Sequence, residues 1–250
     1  MRAASAGDLA GRIALVVGGT GRIGRAACAD LAARGATVAV GYRRSADAAH
    51  ALAAELDGIA VPIDVDEDAS IDEAFRAIES ARGTVGVLVD TARAEAEPAV
   101  VADLDRAALG VHLAAVQGFA ALVRRAVPGM RAQRWGRIVY VSGALMSRPA
   151  PGFGAYGASK AAAAALTRYV ALEEGRAGIT ANIVAPGRVH DETEQLDDAR
   201  RELAARLLER AALGVFPTAD EVAATIGLLA ASPHLTAQTI WVTGGEPIIA

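Results

Sequence analysis

Tyr156 and Lys160 stand four positions apart in "YGASKAAAAALTR" (156–168), a run whose alanines favour helix. On a helix that spacing puts both side chains on one face, one turn apart. A phenol is too weak an acid to exchange protons near neutral pH unless a cation stabilises the phenolate, and an ammonium one turn away supplies it. The pair has the makings of a general acid/base. Its plain alternative is a Tyr and a Lys on the surface of an Ala-rich helix.

A second stretch, "GGTGRIG", sets Gly18, Gly21 and Gly24 between the strand-like "RIALVVG" (12–18) and the helix-like "RIGRAACADLAARG" (22–35). Glycines there allow a tight turn and close approach of backbone, and the helix N-terminus presents N–H groups to a pyrophosphate. The alternative is a ligand-free turn; a triphosphatase loop is excluded because no Gly-Lys-Ser/Thr follows. A site for NAD carries an acidic residue about 20 positions on. That neighbourhood reads "GYRRS" instead, with Tyr42, Arg43, Arg44 and Ser45. Two guanidiniums and a hydroxyl suit a 2′-phosphate, so NADP(H) is favoured over NAD(H); the alternative is a pair of solvated arginines at an exposed helix start.

These groups need a scaffold, and the alternation of apolar runs with helical patterns supplies one. Strands are expected at 12–18, 36–42, 59–64, 84–90, 136–142, 178–185 and 238–245. Helices are expected at 22–35, 45–56 with Ser45 as cap, 70–83 with Ser70 and Glu73 as a capping box, 103–126, 154–175, 196–211 and 219–231. Such alternation implies an α/β fold: a Rossmann-type, doubly wound parallel sheet in three α/β/α layers. No linker divides it, so residues 1–250 read as a single domain, with 1–10 as a flexible tail.

Composition agrees. The chain is 53% hydrophobic with only four Phe, four Tyr and two Trp, which suits helices on a buried parallel sheet. A net charge of −4 with both signs scattered offers no basic stripe for nucleic acid. The single Cys28 forbids an internal disulfide or a thiolate-cage metal site, so no metal is expected; in its Ala-rich run it reads as a small buried filler. Charges break the apolar stretches short of a bilayer span, and the first ten residues lack a signal-peptide core, so no membrane and a cytoplasmic location are expected.

Together, "VVGGTGRIGRA" (16–26), "PIDV" (62–65), "YGASKAAAAALTR" (156–168), "ITANIVAPGRV" (179–189), "TAQTIWV" (236–242) and "GGEP" (244–247) resemble the short-chain dehydrogenase/reductase family over about residues 10 to 249. Arg22, where many members have glycine, and "GYRRS" look most like its NADPH-using pteridine reductase branch. The resemblance implies hydride transfer between nicotinamide and a small carbonyl/alcohol substrate. It implies Gly18, Thr20, Gly21, Arg22, Ile23 and Gly24 at the pyrophosphate. Tyr42, Arg43, Arg44 and Ser45 would lie at the 2′-phosphate, Asp64 and Val65 at the adenine, and Pro186, Gly187 and Val189 at the carboxamide. Tyr156 would be the acid/base, and Lys160 would bind the nicotinamide ribose and lower the Tyr156 pKa.

Three positions depart from that pattern and leave a degenerate tetrad. Gly143 stands thirteen residues before Tyr156, where the family carries Ser; adjacent Ser142 could substitute only through a local bulge. His112 in "GVHLAAVQG" replaces the family's Asn, either as a proton relay or substrate donor, or as a neutral core histidine. "DTAR" (90–93) replaces Asn-Asn-Ala-Gly, so Arg93 either binds an anionic group at the site mouth or is a solvated turn residue. The segment 188–210 matches the family's substrate lid or is simply an amphipathic helix. Its acidic start, Asp191 to Asp198, disfavours an anionic substrate unless Arg93, Arg148 or Arg188 counters it. The alternative to an active enzyme is an impaired accessory subunit paired with an active relative. The apolar circumference of 161–175 points to an oligomer either way, a homodimer or tetramer or a hetero-oligomer.

Overall fold

The runs rich in β-branched residues form seven parallel strands in a computed structural model that describes residues 8–94, 97–191 and 197–246. They are β1 (Ile13–Val17), β2 (Thr37–Tyr42), β3 (Ile59–Pro62), β4 (Val85–Asp90), β5 (Gly136–Val141), β6 (Ile179–Pro186) and β7 (Thr239–Val242), in the order β3-β2-β1-β4-β5-β6-β7. Every residue of β1, β4, β5 and β6 is buried, as a sheet covered on both faces requires. Strand order reverses between β1 and β4, which opens a crevice at their C-terminal ends.

One face carries α3 (Asp68–Ala81), α4 (Arg106–Gln133) and α5 (Gly154–Glu174), packed through Phe75, Phe119, Leu122, Met130 and Ala163. The other carries α1 (Arg22–Ala33), α2 (Ala46–Glu55) and α7 (Ala219–Ala231), packed through Leu31, Leu52, Ile226 and Leu229. α6 (Asp198–Arg210) lies beyond β6. Cys28 is buried in the second cluster, and burial pushes its thiol up to about 12, so it is an inert filler.

Four sequence expectations need correction. α4 does not stop at 126: it runs through Pro128 to Gln133 and closes at Arg134, whose φ is 50°. Burial of Val127 and Met130 on the sheet outweighs the proline's missing N–H. By length and composition alone α4 would suffice to cross a bilayer, but here it packs on α3, α5 and the sheet. Second, α3 starts at Asp68 without a capping box; the Ser70 hydroxyl instead accepts the Asp64 N–H at 2.9 Å. Third, Ser45 holds the cap position of α2 but makes no side-chain capping bond. Fourth, the tail does not extend to residue 10: Leu9 is fully buried and its N–H donates to Arg34 O at 3.0 Å. Residues 1–7 lie outside the described residues.

The turn after β1 is held by contacts too close for side chains. Gly18 has φ +74°, and a Cβ on Gly24 would stand 2.1 Å from the Gly18 carbonyl oxygen, against rigid backbone. Gly24→Ala is therefore expected to cost at least about 1–3 kcal/mol, as overpacking does. That lowers Tm by several degrees, which a thermal melt beside the parent chain checks.

Candidate active site

Lys160 fixes the geometry. It is 6% exposed on α5, and Nζ donates to Val141 O at 2.9 Å and Ala92 O at 3.4 Å, the carbonyls that end β5 and follow β4. One turn earlier, Tyr156 lies with Nζ 5.8 Å from its ring centroid. Its hydroxyl packs on Gly143 so closely that a Cβ there would come within 3.2 Å. His112, from the second turn of α4, meets the Tyr156 ring edge-on with centroids 6.2 Å apart. His112 is 7% exposed, and its Nδ1 is buried with no hydrogen-bond partner among the described residues.

A cavity of about 670 Å³ opens over these groups, walled by Arg93, His112, Gly143, Arg148, Tyr156 and Gly187 among others. Ser142 is not brought to it. Its N–H continues the ladder to Val184 O at 2.8 Å without a bulge, and its hydroxyl turns to Met146 Sδ at 3.0 Å. The expected substitution of Ser142 for the absent serine is thus corrected: alternation along the extended chain points neighbours to opposite sides.

Burial dominates the protonation of this cluster. It pulls Lys160 down to about 8, with the negative Asp90 opposing and the Arg93 charge reinforcing. It pushes Asp90 up to about 6 against the pull of Lys160 and the Ala92 N–H, which Asp90 Oδ1 accepts at 2.9 Å. Tyr156 is also raised by burial, with the Arg93 charge opposing that rise. Four residues on one face set Lys160 beside the ring, but its ammonium is committed to the strand ends beneath. Burial lowers His112, which favours the neutral imidazole.

Sequence reading missed Asp90 as a partner of Lys160; the available signal was a carboxylate ending the otherwise apolar "TVGVLVD". It also missed Thr91, whose hydroxyl donates to Val17 O at 2.8 Å and so ties the ends of β1 and β4 together.

The glycine cradle gathers at the same sheet end. Gly18, Thr20 and Gly21 form the turn, and Arg22, Ile23 and Gly24 begin α1. Arg22 donates to Val189 O at 3.1 Å and His190 O at 3.2 Å and contacts the Asp191 carboxylate, closing the cradle against the segment after β6. Pro186 ends β6, and Gly187 donates to Val242 O at 2.9 Å. Beyond β2, Arg43 sits 3.5 Å from Asp66 and 3.8 Å from Asp64. Tyr42 packs on His50 with ring centroids 6.0 Å apart, and Arg44 and Ser45 follow it at the start of α2. Val65 lies against Gly118 of α4. A Cβ on Gly21 would meet only Gly18 O, at 3.2 Å, so the open side of the turn is bare backbone. That surface fits a dinucleotide. The expected lid falls partly on 192–196, and Pro247 on 247–250, both outside the described residues.

A family model described as enoyl-(acyl carrier protein) reductase matches residues 19–246. The 3-oxoacyl-[acyl-carrier-protein] reductase of Pseudomonas aeruginosa is 31% identical over 246 residues, covering 95% of this chain and 98% of its own. A dehydrogenase/reductase from Sinorhizobium meliloti superposes with a TM-score of 0.85 at 29% identity, over 97% of this chain and 98% of the other. A gluconate 5-dehydrogenase from Burkholderia cenocepacia, solved with NADP and tartrate, gives a TM-score of 0.88 at 26% identity, over 97% of each chain.

The Asp90–Lys160 pair makes stability depend on pH in a stated direction. Folded Asp90 keeps its proton up to about 6, above its ordinary value of 3.8, so the unfolded chain releases that proton first. The parent therefore loses stability through Asp90 as pH rises across that window. Asp90→Asn should gain stability relative to the parent between those pH values, as read from urea midpoints at each pH. A difference that stays flat with pH contradicts the buried carboxylate.

Proposed function

The chain belongs to the short-chain dehydrogenase/reductase family, and on that footing we propose that it is an NADP(H)-dependent oxidoreductase of carbonyl/alcohol pairs. The observation that carries the reading is the meeting of Tyr156, Lys160 and the glycine turn at one end of the sheet, beside one cavity. When bound, the nicotinamide supplies or takes up the hydride. In the reducing direction the Tyr156 hydroxyl gives its proton to the substrate oxygen, leaving a phenolate that the Arg93 charge favours. Lys160 spends donors on two carbonyls and, as an ammonium, keeps a third for a ribose hydroxyl. Gly143 offers no side-chain donor, so His112, which lines the cavity beside the Tyr156 ring, is the group proposed to hydrogen-bond the substrate oxygen.

Arg43, Arg44 and Ser45 are the proposed seat of the 2′-phosphate. Arg43, held loosely by two aspartates and 43% exposed in its side chain, is free to exchange them for phosphate oxygens. The B. cenocepacia relative binds NADP, which supports the same preference. Association of subunits is part of the reading: Leu166, Tyr169 and Leu172 of α5 and Val111 and Leu113 of α4 are exposed apolar side chains. The bare Gly143 also favours a second reading, an accessory subunit that pairs with an active relative, because one lost oxyanion-type donor costs about 10²–10³ in turnover.

Tyr156→Phe should lower kcat by about 10²–10⁴ while NADPH affinity is unchanged; activity that survives intact removes Tyr156 from the acid/base role. Titrating the parent and Arg43→Ala with NADPH and NADH tests the phosphate seat. The parent should prefer NADPH, and the variant should bind NADPH about tenfold to hundredfold more weakly, the worth of a charge-assisted hydrogen bond, with NADH unaffected. A parent that binds neither nucleotide supports the accessory subunit.

A further inference from the structure

We propose that Arg93 is the anchor for a carboxylate on the substrate, so that the site takes a short oxo acid with its carbonyl at Tyr156 and its acid group at the guanidinium. This rests on the hydride-transfer reading above. The backbone that carries Arg93 is rigid: Asp90 Oδ1 accepts the Ala92 N–H at 2.9 Å, and both the N–H and hydroxyl of Thr91 donate to Val17 O, at 3.1 and 2.8 Å. The side chain issuing from that turn lines the cavity together with Tyr156, His112 and Gly143.

The charges around the cavity leave Arg93 uncompensated. Among the described lining residues, Arg93, Arg148 and Arg188 face a single carboxylate, Glu97. Arg148 is neutralised by buried Glu246, whose Oε1 lies 2.8 Å from its Nε, and Arg188 stacks over Phe216 at 5.9 Å. Two carboxylates of the segment after β6 have partners of their own. Arg22 takes Asp191, and Arg201 takes Asp198 at 2.5 Å. Arg93 makes no hydrogen bond or ion pair among the described residues, and its charge acts on both Tyr156 and Lys160. A guanidinium lining a cavity, near a second, buried cation and with no ion pair among the described residues, is relieved by an anion. Its planar fork matches a carboxylate with two parallel hydrogen bonds. The rest of the wall, with Leu145, Phe153, Leu203 and Leu207, is apolar and suits a short carbon chain.

A pyrophosphate at the neighbouring glycine turn is the other anion within reach, so the test separates the two. Oxamate, a non-reducible oxo-acid analogue, is titrated calorimetrically into the parent, Arg93→Ala and Arg93→Lys, with and without NADPH. NADPH is titrated alone, and kcat/KM is measured for a short 2-oxo acid and its methyl ester. The expected result is oxamate binding weakened tenfold or more in Arg93→Ala and partly restored in Arg93→Lys. NADPH affinity stays constant, and the preference for acid over ester falls at least tenfold. Equal oxamate affinity in parent and Arg93→Ala, or no oxamate binding to the parent, overturns the proposal. Weakened NADPH binding with unchanged oxamate binding assigns Arg93 to the pyrophosphate and overturns it too. If oxamate binding follows Arg93 while neither ketone is reduced, the anion site stands and the hydride-transfer reading falls.

Discussion

A lysine ammonium buried to 6% exposure must find oxygen or lose its charge, and the C-terminal ends of β4 and β5 are arranged around that need. Val141 and Ala92 turn carbonyls to Nζ, Asp90 contributes negative charge nearby, and the Tyr140 ring lies with its centroid 4.8 Å away. The cost of holding the ammonium there is visible in its lowered pKa. The geometry of the cluster follows from that position. Lys160 fixes the first turns of α5 over the sheet end, which brings Tyr156 against Gly143 and beneath His112. The turn that supplies the Ala92 carbonyl continues at once into Arg93.

Parallel topology explains why these groups meet at all. Each crossover delivers its loop to the same sheet end, so the glycine turn after β1, "DTAR" after β4, Gly143 after β5 and Pro186 at the end of β6 converge without being near in sequence. Thr91 makes the convergence stiff, because its hydroxyl also reaches Gly18 O at 3.2 Å and so touches the cradle directly.

Much of this was legible in the chain. Buried strands have a strong signature, since burial on both faces of a parallel sheet demands unbroken apolar runs; all seven were found, six with ends within two residues, while β7 stops three residues short of the expected 245. The glycine spacing and the Tyr156–Lys160 interval carried the site for the same reason: each is local. What local pattern could not carry was competition. The helix was expected to stop at 126, yet tertiary burial of Met130 carries α4 past Pro128. Ser70 and Glu73 spelled a capping box, yet Ser70 found a better donor in the Asp64 N–H. The action of Arg93 on Tyr156 was beyond sequence reading, because it depends on where a side chain from the turn after β4 comes to rest.

The clasp of Arg22 on Val189, His190 and Asp191 joins residues 167 to 169 positions apart. The glycine cradle after β1 is thus closed by residues that follow β6. A growing chain on the ribosome exposes the glycine turn early, but the wall that closes it emerges only with the residues after β6. The packing of α1 on α7 extends the same delay, since Gly227 admits the Asp30–Arg34 pair and α7 is the last helix. N-terminal sections of a domain generally gain structure first during synthesis. Here early structure of the glycine turn does not by itself complete the cradle, which waits for the residues after β6.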